Sequence, residues 1–296
     1  MQNSLIESQN QVKSQDMAIV AVLMVVDSLH FVFAKLLHPY IQPEISVFFV
    51  ILIGFLEVGL FGVITGRLRL VIFRRNLFFF FAVGFLVAVS TYLTYEAVGY
   101  IDPGTASLLS QASVVFGLGF GFFWFKERFS WNQKLGALVA ILGVAVITFQ
   151  PGDYFRMGSL IVLVAAGVYA GHMALVKRYG GEIDILNFFF FRLLTTTLFL
   201  LIMLLSQESV PNPGGRAWLL LILTGTIDVA FSRSLYYFVL KRVNISLFSI
   251  LLTLSPAITL LWSFILFGVQ PGPRQIIGGG AVLAGVILTT RKKKST

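Results

Sequence analysis

Ten stretches of about 20 mostly apolar residues, each ended by a polar, turn-rich break, leave this chain few folds to choose from. They cover 17–38, 44–66, 76–100, 103–125, 132–150, 157–178, 184–206, 216–240, 244–267 and 272–290. Breaks such as HPYIQPE, IDPG, RYGGE, VPNPGG and VQPGP carry the Pro, Gly and polar residues that end helices. A helix of this length crosses the hydrocarbon with every backbone group bonded internally. Only 12% of the residues are charged, against roughly 25% in soluble domains. The expected fold is therefore an all-α membrane protein of ten transmembrane helices, with a polar tail at 1–16 and a basic tail at 291–296. The first apolar run does not read as a signal peptide, because Asp27 and His30 interrupt it and no small-residue cleavage site follows.

The net charge of +9 is not spread as in a nucleic-acid-binding protein. With the N-terminus placed inside, the inner segments hold sixteen Lys and Arg residues and the outer loops hold Arg156, Arg216 and Arg274. That asymmetry predicts both termini in the cytoplasm and no nucleic-acid partner, and the expected location is a bacterial inner membrane.

Shifting the sequence by 142 residues aligns it with itself. Val22, His30 and Lys35 meet Val164, His172 and Lys177, and Tyr95, Ser107 and Ser113 meet Tyr237, Ser249 and Ser255. Gln133, Gly136 and Gly143 meet Gln275, Gly278 and Gly285. The halves are 17–150 and 157–290. Five helices is an odd number, so the second half enters the membrane inverted. Inverted repeats around a central site are the architecture of transporters that alternate access.

Several chemistries are excluded or disfavoured. There are no cysteines, hence no disulfides, thiolate catalysis or thiolate metal sites. No P-loop, H-E-x-x-H or G-x-S-x-G segment occurs. The expectation is no cofactor, no metal and no catalysis.

Tyr95 to Ala97, the small-residue run Thr105 to Ser113, Glu127 ending the fourth helix and GALVAILGV in the fifth make a pattern that returns as SPAITLLWSFILFG and GGGAVLAGVILTT. It resembles the EamA-type members of the drug/metabolite transporter superfamily, over essentially the whole chain. Pro256 and Arg192 fall where that family often has a proline and an arginine. Asp27 stands where the family commonly has a tryptophan, and Val269 replaces the second glutamate. The resemblance implies a ten-helix secondary transporter or exporter with a central cavity.

Ionisable groups at membrane depth are costly, and they face a cavity or a partner. Asp27 and His30 share one face of the first helix, so Asp27 either binds a cation, proton or amine or pairs with Arg192 or Arg233. His30 and His172 are repeat mates that mark the two ends of a pathway or else pack as hydrogen-bonded histidines. Asp228 and Arg233 lie five residues apart, about 140° around an α-helix, and should face different neighbours. Arg192 either lines the cavity or snorkels. Ser110, Gln111, Tyr95, Tyr237 and Thr253 complete the expected substrate-binding set. Glu57 is expected to pair with a basic neighbour, and Glu127 to be salt-bridged at a helix end. The spaced glycines of the fifth and tenth helices read as scaffold. The expected partners are a small-molecule substrate, the bilayer and a coupling proton. The expected function is export of a small polar or amphipathic metabolite, amino acids first. The alternative is a flippase for a lipid-linked or isoprenoid substrate, with Arg192 and Arg233 holding its headgroup.

Overall fold

The computed structural model describes residues 14–148, 157–181, 183–207, 212–240 and 253–290. Residues 1–13 of the polar tail, the basic tail and residues 244–252 of the ninth segment lie outside these. Among the described residues every regular element is a helix. In chain order they are α1 (Ser14–Ser28), α2 (His30–Leu37), α3 (Pro43–Ile64), α4 (Leu70–Arg75), α5 (Leu77–Tyr100), α6 (Pro103–Ser110) and α7 (Ala112–Phe123). They continue with α8 (Trp131–Thr148), α9 (Met157–Tyr179), α10 (Ile185–Leu205), α11 (Gly215–Thr224), a π-helical turn (Gly225–Phe231), α12 (Ser232–Leu240), α13 (Ser255–Phe267) and α14 (Pro273–Thr290).

Eight stretches are long and apolar enough to cross a membrane: Ala18–Leu37, Pro43–Ile64, Leu77–Tyr100, Pro103–Phe123, Trp131–Thr148, Met157–Tyr179, Ile185–Leu205 and Gly215–Tyr236. They match the first eight sequence segments to within a few residues. At the last two, the described helices Ser255–Phe267 and Pro273–Thr289 are apolar but shorter. Large apolar side chains such as Ile64, Phe78, Phe123 and Leu205 are exposed on the perimeter, as lipid contact requires and water would not tolerate.

Three segments are not the continuous helices their composition suggests. The first breaks at Leu29 between α1 and α2, and the fourth at Gln111 between α6 and α7. The eighth changes its hydrogen-bond register through the π-turn. A short helix, α4, also forms in the basic break before α5, where no element was expected.

The helix starts follow from local chemistry. Asp102 caps α6 by accepting from Thr105 N at 2.9 Å and Thr105 Oγ1 at 2.6 Å, with Pro103 next in line, where its missing N–H costs nothing. Asp184 caps α10 by accepting from Asn187 N at 3.1 Å. Ser130 N donates to Gln133 Oε1 ahead of α8, and Gly272 N donates to Gln275 Oε1 ahead of α14. These two caps are 142 positions apart, and so are the glycines of the helices they start.

Those glycines set the tightest contact in the fold. A Cβ on Gly143 would lie 2.6 Å from Gly278 O and 2.7 Å from Val282 N. One on Gly285 would lie 2.5 Å from both Ala140 N and Gly136 O. Numbers rise on one helix as they fall on the other, so α8 and α14 run antiparallel backbone to backbone. Gly278 is the repeat mate of Gly136 and Gly143 that of Gly285, so exchanging mates turns the Gly136–Gly285 contact into the Gly143–Gly278 contact.

Elsewhere aromatic packing dominates. Phe73 stacks on Phe191 at 4.9 Å between ring centroids, and Phe80 meets Phe191 edge-on at 5.5 Å, joining α4, α5 and α10. Asn187 Nδ2 donates to Arg67 O and Asn187 Oδ1 accepts from Arg69 N, tying the 65–69 loop to the start of α10. Lys177 Nζ and Glu127 Oε1 pair at 2.5 Å between the ends of α9 and α7, the salt-bridged helix end expected of Glu127. The basic segments around Arg67, Lys126 and Arg178 therefore gather at one end of the bundle.

Candidate functional site

The ionisable groups of the first and eighth segments meet in the middle of the bundle. His30, at the start of α2, places Nδ1 2.7 Å from Asp228 Oδ2 in the π-turn. The Asp228 side chain is only 3% exposed, and its Oδ1 makes no hydrogen bond among the described residues. One turn earlier Asp27 Oδ1 faces Arg233 Nη1 at 3.4 Å, while Asp27 Oδ2 accepts from Ser255 Oγ at 3.2 Å. Both side chains of this second pair are about a quarter exposed, at 24% and 29%.

Two local irregularities make this possible. In a π-turn the backbone bonds to the fifth residue back, so residues five apart come round to one side. Asp228 and Arg233 consequently both face the first segment, which corrects the expectation from α-helical geometry that they would part. The break at Leu29 lies between Asp27 and His30 and lets each meet its own partner. Gly225 opens the π-turn against α3, where a Cβ would lie 2.7 Å from Ile53 Cβ and 3.0 Å from Val50 O. The polar seam extends through Ser28, whose Oγ accepts from Trp262 Nε1 at 3.1 Å and whose carbonyl accepts from Thr259 Oγ1 at 3.0 Å.

Tyr95 closes the site on its α5 side. It is buried, its ring lies edge-on to His30 at 6.1 Å, and its hydroxyl makes no hydrogen bond among the described residues. His30 is thus flanked by a carboxylate oxygen and a phenol, both buried with hydrogen-bonding capacity left over. Groups so placed hold a proton or an ammonium well, since an unused buried acceptor costs about 1–3 kcal/mol.

The other expected residues are distributed around this centre. His172, on α9, is buried, lies 5.3 Å from the Tyr169 ring, and neither ring nitrogen makes a hydrogen bond among the described residues. Arg192 places its guanidinium over the Phe189 ring at 4.9 Å, a cation–π contact within α10. Asp27 pairs with Arg233, not Arg192. Ser110 turns its hydroxyl back to Ser107 O at 2.7 Å. Gln111 occupies the turn between α6 and α7, and Thr253 is buried in the turn before α13. These two turns are repeat mates. Tyr237 is on α12, but its side chain lies outside the described residues.

Glu57 departs from expectation. The three ion pairs among the described residues do not include it. Its Oε1 accepts from Thr226 Oγ1 at 2.6 Å instead. Thr226, Ser255, Ser28 and Trp262 are the site residues that sequence reasoning missed. The one available signal was for Ser255, the mate of Ser113. Among the described residues no cluster of His, Asp and Glu can hold a metal ion.

The pairing of Asp27 with Arg233 has a measurable consequence. Asp27→Asn and Arg233→Met should each destabilise the protein in detergent, because each removes one charge of a partly buried pair. The double variant should recover a coupling of about 1–3 kcal/mol by chemical denaturation. Strict additivity would mean that the pair does not form.

The comparisons with known proteins agree with this architecture. The EamA-like transporter family matches residues 17–149 and again 156–291. The uncharacterized transporter YdfC of Bacillus subtilis is 28% identical over 256 residues, covering 84% of this chain and 82% of its own. A probable terminal-alkyne amino-acid exporter of Streptantibioticus cattleyicolor is 29% identical over 198 residues, covering 65% of this chain and 66% of its own. A solved crystal structure superposes with a TM-score of 0.63 over 93% of this chain and 96% of that one at 17% identity, a likeness of fold. With the family matched twice along nearly its whole length, the chain belongs to the EamA-like transporter family, within the drug/metabolite transporter superfamily.

Proposed function

We propose that this transporter exports a small polar or amphipathic metabolite, amino acids first, by alternating access between two inverted five-helix halves. The reading places it in a bacterial inner membrane with both termini in the cytoplasm. The observation that carries it is the buried His30–Asp228 pair, with Asp27–Arg233 one turn away, between the first and eighth segments. Two pairs of ionisable side chains held at membrane depth by irregular helices are far costlier than an apolar contact, and their retention fits a pathway that binds and releases charge. The mirrored glycine contacts of α8 and α14 support the inverted halves, and the named exporter among the relatives supports amino acids. Asp228 is the proposed carrier of a coupling proton, with His30 holding its carboxylate in place.

The test is counterflow. Proteoliposomes loaded with one unlabelled amino acid at a time should take up its labelled form faster than empty ones for at least one side-chain class, and a pH gradient should drive net movement. If no amino acid exchanges while a fluorescent lipid analogue crosses the bilayer, the protein is a flippase.

A further inference from the structure

A second site lies away from the central pairs. A cavity of about 610 Å³ is lined by Glu57, Thr226, Phe61, Phe189 and Phe231, with Arg67 and Asp184 also in its wall. Arg67 and Asp184 belong to the end where the basic segments gather, so the cavity reaches inward from that end. Its volume is that of a pocket for a drug-sized molecule, larger than most single amino acids need.

Glu57 is on α3, two turns before that helix ends at Ile64. It is half-buried, and its hydrogen bond comes from a neutral hydroxyl. Among the described residues Glu57 forms no ion pair, although Arg67 lines the same cavity, and a ligand that brings an ammonium against the carboxylate relieves the cost of a charge at membrane depth. The π-turn takes part here too. It sends Thr226 to Glu57, Asp228 to His30 and Ala230 to the cavity wall within five residues. Three phenyl rings, Phe61, Phe189 and Phe231, give the wall its apolar surface, and Arg192 already lies over the Phe189 ring.

We propose that this cavity binds amphipathic organic ammonium compounds, with the ammonium on Glu57 beside the Thr226 hydroxyl and the apolar body against Phe61, Phe189 and Phe231. This deepens the transport reading, and rests on it only for the step in which the bound amine is moved. Binding itself is independent of that reading.

The experiment is calorimetric titration of the purified full chain with phenethylammonium, and with phenethyl alcohol as its neutral counterpart. The ammonium should bind and the alcohol should bind at least about tenfold more weakly. Glu57→Gln should weaken the ammonium about tenfold or more while leaving the alcohol unchanged. Thr226→Val, which keeps the side-chain shape, should weaken it to a lesser degree and serves if Glu57→Gln does not fold. Equal binding of amine and alcohol, or of the amine to the parent and both variants, overturns the site. Amine binding at Glu57 with no counterflow of any substrate leaves the site standing and sinks the transport reading instead.

Discussion

Gly143→Leu is expected to abolish assembly of the bundle. The added Cβ would meet Gly278 O at 2.6 Å and Val282 N at 2.7 Å, and backbone atoms within a helix cannot move aside as a side chain can. To make room, α8 and α14 must separate, and the separation removes the close contact along both helices that also involves Gly136, Ala140 and Gly285. In a membrane there is no hydrophobic force to hold the helices together once that packing is lost. The loss should be several kcal/mol, at the top of what single substitutions do. It would be seen as failure to recover monodisperse protein in mild detergent. Leu142→Ala, at an exposed neighbour on the same helix, should have little effect. Normal recovery of Gly143→Leu would mean that α8 and α14 do not pack through their glycines.

The second large effect is on transport. Asp228→Asn keeps the shape of the side chain and an acceptor for His30 while removing the charge and the exchangeable proton. Counterflow should fall by about one to two orders of magnitude, the value of a charge-assisted hydrogen bond at a dry site. The thermal unfolding midpoint should change little by comparison, because no volume is lost and no group is stranded. Transport at parent rates would remove Asp228 from the pathway. A collapse of stability in step with transport would make the His30–Asp228 contact structural.

What could be read from the sequence follows from which interactions are local. Segment positions were legible because lipid imposes a length and a composition on each crossing. Helix starts were legible from the turn-rich breaks before them, as at IDPG, where the structure finds Asp102 capping α6. The glycines of α8 and α14 were visible as a scaffold spacing that occurs twice, but not that the two helices pack on each other. Partner choice was not visible. His30 meets Asp228 across 198 positions, and Thr226 meets Glu57 across 169. The π-turn was also silent, since a shift of one residue in the hydrogen-bond register leaves no mark in composition. Assuming an α-helix there turned Asp228 and Arg233 away from each other and left Thr226 and Glu57 unconnected. The break at Leu29 was missed for the same reason: Val25 to Phe33 reads as continuous apolar helix except for the charged pair that needs the break.

The pairing of the first and eighth segments through that π-turn is the claim on which the site rests, and the absence of native cysteines makes it directly measurable. His30→Cys combined with Asp228→Cys, oxidised in native membranes and cleaved at a protease site inserted between them, should leave the two fragments joined. His30→Cys combined with Phe231→Cys, whose native side chain lines the separate Glu57 cavity, should let them separate. Joining through position 231 and not through 228 would contradict the account.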